Sequence, residues 1–198
     1  MIDTKRWLGF STAVRMWRPL RAQVTLAICA ALLGLSAWAS GEDASAFKDH
    51  PYFKHLLGGS WKIDGELKAA DGRVIKIKEE WKTQLLGDNT LTMEGSRELD
   101  GDSKNFKWTI TRNPSTGLFE ATHQADTSNP ETVRFELDVP ADGSKVEMSG
   151  SLGNGDAKLV IIDSYKDGDH DQIESQVSLK DASGTAVLSG TLLAKRDK

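Results

Sequence analysis

Glu79, Arg97 and His123 stand where the surrounding alternation of apolar residues calls for a hydrophobic side chain. A three-residue turn centred on Asp88 sets Leu85 opposite Leu91, Thr83 opposite Met93, Trp81 opposite Gly95 and Glu79 opposite Arg97, so two opposite charges meet on one inward-facing rung. A guanidinium presents a planar fork matched to carboxylates and other anions, so an Arg97 held by Glu79 is available to an acidic group on a ligand. The competing reading is a pair at a wetted mouth, or a bulge that turns one of the two outward. Desolvating two charges costs several kcal/mol that pairing alone does not return, which argues against a buried pair of no further use.

A hairpin through Asn113 to Thr116 is expected to set Phe119 opposite Ile110, Ala121 opposite Trp108 and His123 opposite Phe106, with the imidazole pointing inward among aromatics. Other combinations offer less. His50 and His55 are five apart, not the four that brings two metal ligands to one helix face. Asp167-Gly168-Asp169-His170-Asp171 has alternate carboxylates, but Gln172 stands where an EF-hand needs its turn glycine and Ser178 where it needs a bidentate Glu, so it reads as a solvated turn. Gly150-x-x-Gly153-x-Gly155 lacks the strand-to-helix setting of a nucleotide loop, and no Gly-x-Ser-x-Gly is present. No catalytic residue is named; an enzyme would need Glu79 or His123 poised beside a pocket.

The elements that position these residues follow from parity. Trp61, Ile63, Gly65 and Leu67 alternate with Lys62, Asp64, Glu66 and Lys68, and Asp71-Gly72 then turns the chain. The same alternation gives inward sets Ile75, Ile77, Glu79, Trp81; Leu91, Met93, Gly95, Arg97, Leu99; Phe106, Trp108, Ile110; Phe119, Ala121, His123; Val133, Phe135, Leu137, Val139; and Val146, Met148, Gly150. Runs 159–165, 173–179 and 186–193 complete about ten strands. Leu159 to Ile162 are contiguous and apolar, which leaves that strand's faces undecided. Short Gly, Asp and Asn turns join antiparallel neighbours, and mid-strand Gly65, Gly95, Gly150 and Gly190 permit sharp bends. The predicted fold is all-β: one antiparallel up-and-down β-barrel over residues 49–198, with a two-sheet sandwich as the alternative. Phe53, Leu56 and Leu57 share a face after Asp49-His50-Pro51, predicting a short N-terminal helix that closes one end.

Residues 1–39 read as a signal peptide: Lys5, Arg6, Arg15, Arg18 and Arg21 precede the apolar Val24 to Leu35, and Ala37-Trp38-Ala39 supplies a cleavage site after Ala39. The apolar run is short against the roughly 20 residues of a membrane span, so export to the periplasm or beyond, without membrane insertion after cleavage, is expected over an uncleaved anchor. Residues 40–48 are small, polar and acidic, a flexible lead-in. Cleavage takes Lys plus Arg from 25 to 20 and Asp plus Glu from 29 to 28, so the formal charge moves from -4 to -8. That balance disfavours nucleic acid and anionic lipid. The single cysteine, Cys29, leaves with the leader, which removes thiolate, disulfide and redox chemistry from the mature domain.

Gly59-Ser60-Trp61 entering the first strand resembles the start of lipocalin-type barrels, whose Gly-x-Trp lays the Trp across the barrel floor. The run Leu85-Leu86-Gly87-Asp88-Asn89-Thr90-Leu91 leading to Glu94-Gly95, and then Thr109-Ile110-Thr111-Arg112-Asn113-Pro114-Ser115-Thr116-Gly117-Leu118-Phe119, resemble the uncharacterised bacterial family called domain of unknown function 1579. Asp88 replaces the second Gly of its Leu-Gly-Gly hairpin, and Asn113 the Asp of its Asp-Pro-x-Thr-Gly turn. The resemblance spans nearly all of the mature chain and implies a lipocalin-like, calycin-type barrel without implying a ligand or activity. Related haem-binding barrels use a proximal histidine, which raises haem at His123; a lone His on an apolar face is more often a core or rim residue, and no cofactor or metal is assigned.

The function expected is binding of a small hydrophobic or amphipathic molecule with an acidic or polar head group. Trp61, Trp81, Trp108, Phe106 and Met93 are the expected walls, and Glu79, Arg97 and His123 the orienting contacts. The alternative is a filled barrel serving as a structural or protein-interaction module of the envelope, which would show an outward apolar patch around Val160, Ile162 and Leu193.

Overall fold

Alternating burial marks most of the strands, the first two most clearly, and a computed structural model describes residues 47–127, 132–153 and 155–197. The strands are β1 (Ser60–Ala69), β2 (Val74–Leu85), β3 (Thr90–Leu99), β4 (Asp102–Arg112), β5 (Phe119–Gln124), β6 (Thr132–Asp138), β7 (Val146–Leu152), β8 (Ala157–Tyr165), β9 (Gln172–Asp181) and β10 (Ala186–Asp197). Each pairs antiparallel with its neighbours in sequence, and β1 closes on β10, giving a ten-stranded up-and-down barrel among the described residues. Closure removes both sheet edges, which is why the meander is a barrel and not a sandwich. The signal peptide expected over 1–39 and most of the 40–48 lead-in lie outside the described residues.

Turn chemistry sets the registers. Asp100 and Gly101 both have positive φ (50° and 95°), the geometry of a two-residue hairpin whose twist matches its strands, and Leu99 accordingly faces Asp102. Gly87 to Asn89 bring Leu85 opposite Leu91 and, six residue pairs on, Glu79 opposite Arg97, as the sequence predicts. The Asn113 turn departs from expectation. Asn113 Oδ1 accepts the N–H groups of Ser115 and Thr116 at 2.9 and 3.3 Å, so the strands pair up to Arg112 and Phe119 and the register moves by two residues. His123 therefore faces Trp108, not Phe106, while an even shift keeps it inward. Gly95 is a close approach: a Cβ there would fall on the Glu80 carbonyl and within 2.7 Å of the Trp81 Cα, so only glycine lets β3 come this close to β2 opposite Trp81.

The predicted N-terminal helix is replaced by a single 3-10 turn, Phe53–His55. His50 caps the start, its Nδ1 accepting the Tyr52 N–H at 3.2 Å and its carbonyl the Lys54 N–H at 3.1 Å, but the bonds that follow tighten to three-residue steps (His55 to Tyr52, Leu56 to Phe53, Gly59 to Leu56) and Gly58 turns the chain at a φ of 66°. The segment still closes one end. Thr83 Oγ1 donates to the Leu56 carbonyl, and Phe53 and Phe119 lie 5.3 Å apart. Phe47, assigned to the lead-in by its polar neighbours, is fully buried 5.0 Å from Phe53 and 5.6 Å from Phe119, so the folded domain reaches back at least to Phe47.

Candidate functional site

Adjacent strands with inward parity at Glu79 and Arg97 make contact a matter of side-chain length, and Arg97 Nε donates to Glu79 Oε1 at 2.5 Å. The side chains are 12% and 9% exposed, which places the pair inside the barrel and excludes the wetted-mouth alternative. The Arg97 guanidinium also lies 4.9 Å from the centre of the Phe106 ring. Low-dielectric surroundings strengthen both attractions.

The strand whose parity was undecided supplies a further member. Leu159 and Ile161 turn inward with Asp163, and Asp163 sits between Val146 on β7 and Ser175 on β9. Its Oδ1 is buried with no hydrogen-bond partner. Burial pushes its carboxyl up from the ordinary 3.8 to about 6, the nearby Glu79 charge adds to the rise, and the Ser175 hydroxyl opposes it. Sequence reasoning missed Asp163 because both faces of 159–162 are apolar. A signal was present: Ile173, Val177 and Leu179 alternate, and pairing Tyr165 with Ile173 across the Asp167 turn would have fixed the inward set.

These groups line one cavity of about 110 Å³. Of the predicted residues, Trp81, Met93, Phe106, Trp108, Glu79 and Arg97 lie on its wall, and Asp163, Ser175 and the closing segment's Tyr52 and Phe53 join them. Trp61 and His123 do not. Trp61 lies towards the closed end, stacked on Trp81 at 5.4 Å and covered by the Arg196 guanidinium at 4.7 Å, because the closing of β1 on β10 sets Trp61 opposite Arg196. His123 is buried with its ring 4.3 Å from Trp108 and 6.1 Å from Phe106. Burial, and secondarily the Arg97 charge, hold its imidazole well below the ordinary 6.5, so it is neutral at physiological pH.

The remaining titratable clusters are spent on structure. His55 stacks on His170 with ring centres 3.6 Å apart, while Tyr165 donates to the Tyr52 carbonyl at 2.9 Å. Asp169 accepts from the Asp171 N–H at 2.9 Å and from Gln172 Nε2 at 2.7 Å, so the candidate calcium loop is a self-bonded turn. Among the described residues no group of three or more His, Cys, Asp or Glu side chains is placed to hold a metal ion. None of their helices is long and apolar enough to cross a membrane.

No family model and no curated protein matches the chain. Among solved structures it is similar to an S-type phycobiliprotein lyase from Guillardia theta, with 13% identity over 74% of this chain and 91% of that one and a TM-score of 0.48. It is also similar to the protein EF1p2_mFAP2b bound to DFHBI, with 12% identity over 78% of this chain and 100% of that one and a TM-score of 0.39. A de novo designed fluorescence-activating beta barrel is similar at 13% identity, covering 78% of this chain and 99% of that one, with a TM-score of 0.37. At these scores the function must be argued from the cavity itself.

Proposed function

We propose that the chain is an exported β-barrel that binds a compact, largely apolar small molecule bearing one polar head group. The observation that carries the reading is the cavity of about 110 Å³ in which Glu79, Arg97, Asp163 and Ser175 face aromatic walls. A barrel built only for stability would fill that space with apolar side chains, since a buried charged pair is seldom better than a hydrophobic replacement of the same volume. The volume sets the class of ligand. An engineered apolar cavity of roughly 150 Å³ takes benzene, so this one suits a single-ring molecule and not a fatty acid or retinoid. The family resemblance and the leader over residues 1–39 belong to the same proposal, in which cleavage after Ala39 delivers the barrel outside the cytoplasm.

Haem is not part of this proposal: His123 packs against Trp108 with ring centres 4.3 Å apart and is not among the residues that line the cavity. The envelope-module alternative called for a continuous outward patch. Instead Ser178, Gln176 and Glu174 pair with Val160, Ile162 and Leu193, and none of those three belongs to the exposed large hydrophobics, which among the described residues are Val74, Leu86 and Leu118.

The test is titration with toluene and benzyl alcohol, followed by the fluorescence of the wall residues Trp81 and Trp108. Saturable quenching is expected, and Ala194→Phe, which projects a ring into the cavity, should abolish it while the protein stays folded by circular dichroism. No saturable response to any single-ring probe would overturn the reading. For export, N-terminal sequencing of the protein recovered from outside the cytoplasm should begin at Ser40.

A further inference from the structure

Resting on that reading, we propose that the head group taken by this cavity is a cation, a protonated amine held by Asp163, and not the acid first expected at Arg97. The charged side chains on the wall are Glu79, Arg97 and Asp163: two carboxylates and one guanidinium. Glu79 already engages Arg97 at 2.5 Å, and Phe106 covers the guanidinium at 4.9 Å, so the one cation among the described lining residues has a carboxylate and a ring as partners. Asp163 has no such cation. Its Oδ1 is buried and accepts no hydrogen bond, although it belongs to a side chain that lines the cavity.

The count of charge decides the sign of the ligand. With both carboxylates ionised the wall carries one net negative charge; an anionic ligand would raise that to two, while an ammonium group would cancel it. A buried acceptor without a donor is costly, more so when it is charged, so Oδ1 favours a ligand that brings a donor to it. Trp81, Trp108 and Phe106 line the same space, and aromatic rings attract cations. A ring-bearing amine thus uses every feature of the wall, whereas a ring-bearing acid would meet Asp163 as a like charge.

Binding is then linked to protonation of Asp163. The groups facing it are Glu79 on β2, whose charge raises its pKa, Ser175 on β9, whose hydroxyl lowers it, and the tyrosines Tyr52 of the closing segment and Tyr165 of β8. Asp163 titrates at about 6, so an amine should bind fully above that pH and lose affinity as the carboxyl takes up a proton below it.

Three probes with one ring and different heads test this: benzylamine, benzyl alcohol and benzoate, titrated into the full-length mature protein by calorimetry at about pH 8 and again at about pH 5. Benzylamine should bind at least about tenfold more tightly than benzyl alcohol at the higher pH, with benzoate weakest, and the margin should shrink towards the lower pH. Asp163→Asn should remove the amine preference, so that benzylamine binds no more tightly than benzyl alcohol to that variant. If that variant does not fold, the wild-type pH profile decides alone: a benzylamine margin that is flat across pH overturns the assignment to Asp163. Benzyl alcohol binding as tightly as benzylamine, or benzoate binding best, overturns the cation and leaves the cavity reading intact. Silence from all three probes overturns both.

Discussion

Two arginines in this barrel make the same pair of contacts in different places. Arg196, towards the closed end, lies 4.7 Å over Trp61, pairs with Asp171 at 3.0 Å and donates through Nη2 to the His55 carbonyl. Arg97, in the hollow middle, lies 4.9 Å over Phe106 and pairs with Glu79 at 2.5 Å. The difference is water and a neighbour. Asp171 is 41% exposed, and the Arg196 cluster acts as a clamp tying the closing segment to the last strand. Glu79 is 9% exposed and shares its cavity with a second carboxylate, so the middle of the barrel holds a charge balance that is not closed. Where the ion pair reaches solvent it fastens an end; where it is dry it lines a cavity beside a second carboxylate.

The largest break in that comparison is Arg97→Ala. It strands Glu79 in a dry interior beside Asp163, and urea unfolding should show a loss of about 3–5 kcal/mol. The paired replacement Glu79→Leu with Arg97→Met should recover most of it, because neither charge remains to be desolvated.

Asp163→Asn should act in the opposite direction. The Asp163 carboxyl is raised from 3.8 to about 6 in the folded protein, so the folded state holds the proton more tightly than the unfolded chain. Its stabilising contribution is complete below the unfolded value and is lost as pH rises through about 6. Asparagine does not titrate. The variant should therefore exceed the wild type by up to about 3 kcal/mol near neutral pH, and the two curves should converge as pH falls towards the unfolded value.

Arg196→Ala should cost less, about 1–2 kcal/mol, since one partner is half-wet and the ring contact is a modest term. The local readout is hydrogen exchange, which should rise across residues 52–59 and leave β3 protected. If Arg196→Ala instead matched Arg97→Ala, the distinction between clamp and open balance would fail. At the small end, Lys62 bridges Glu80 at 3.7 Å and Asp197 at 3.2 Å on the outer face with half its side chain exposed. Lys62→Ala should leave the melting temperature unchanged.

The strands were legible because their alternation is local. Trp61 to Leu67, Ile75 to Trp81 and Phe106 to Ile110 keep in the structure the faces their spacing assigns. Registers were legible where the turn was short: three residues around Asp88 suffice to bring Glu79 against Arg97. They were not where a side chain reshaped the turn, as Asn113 does by capping its own loop, which moved His123 from Phe106 to Trp108. The closing segment stops after one 3-10 turn because its backbone bonds tighten to three-residue steps before Gly58 turns the chain, and Phe47 escaped notice because a single aromatic in a polar run has no period.

The sequence by itself determined which faces are apolar, which turns are tight and that a meander of this length must hide its edges, because each depends on residues a few positions apart. Only the tertiary structure decided that β1 meets β10 with Trp61 under Arg196, that Asp163 of β8 comes near Glu79 of β2 across the barrel, and that about 110 Å³ is left between them. Those are distances between strands far apart in the chain. They follow from closure and from how bulky side chains share the interior, and no local period encodes either.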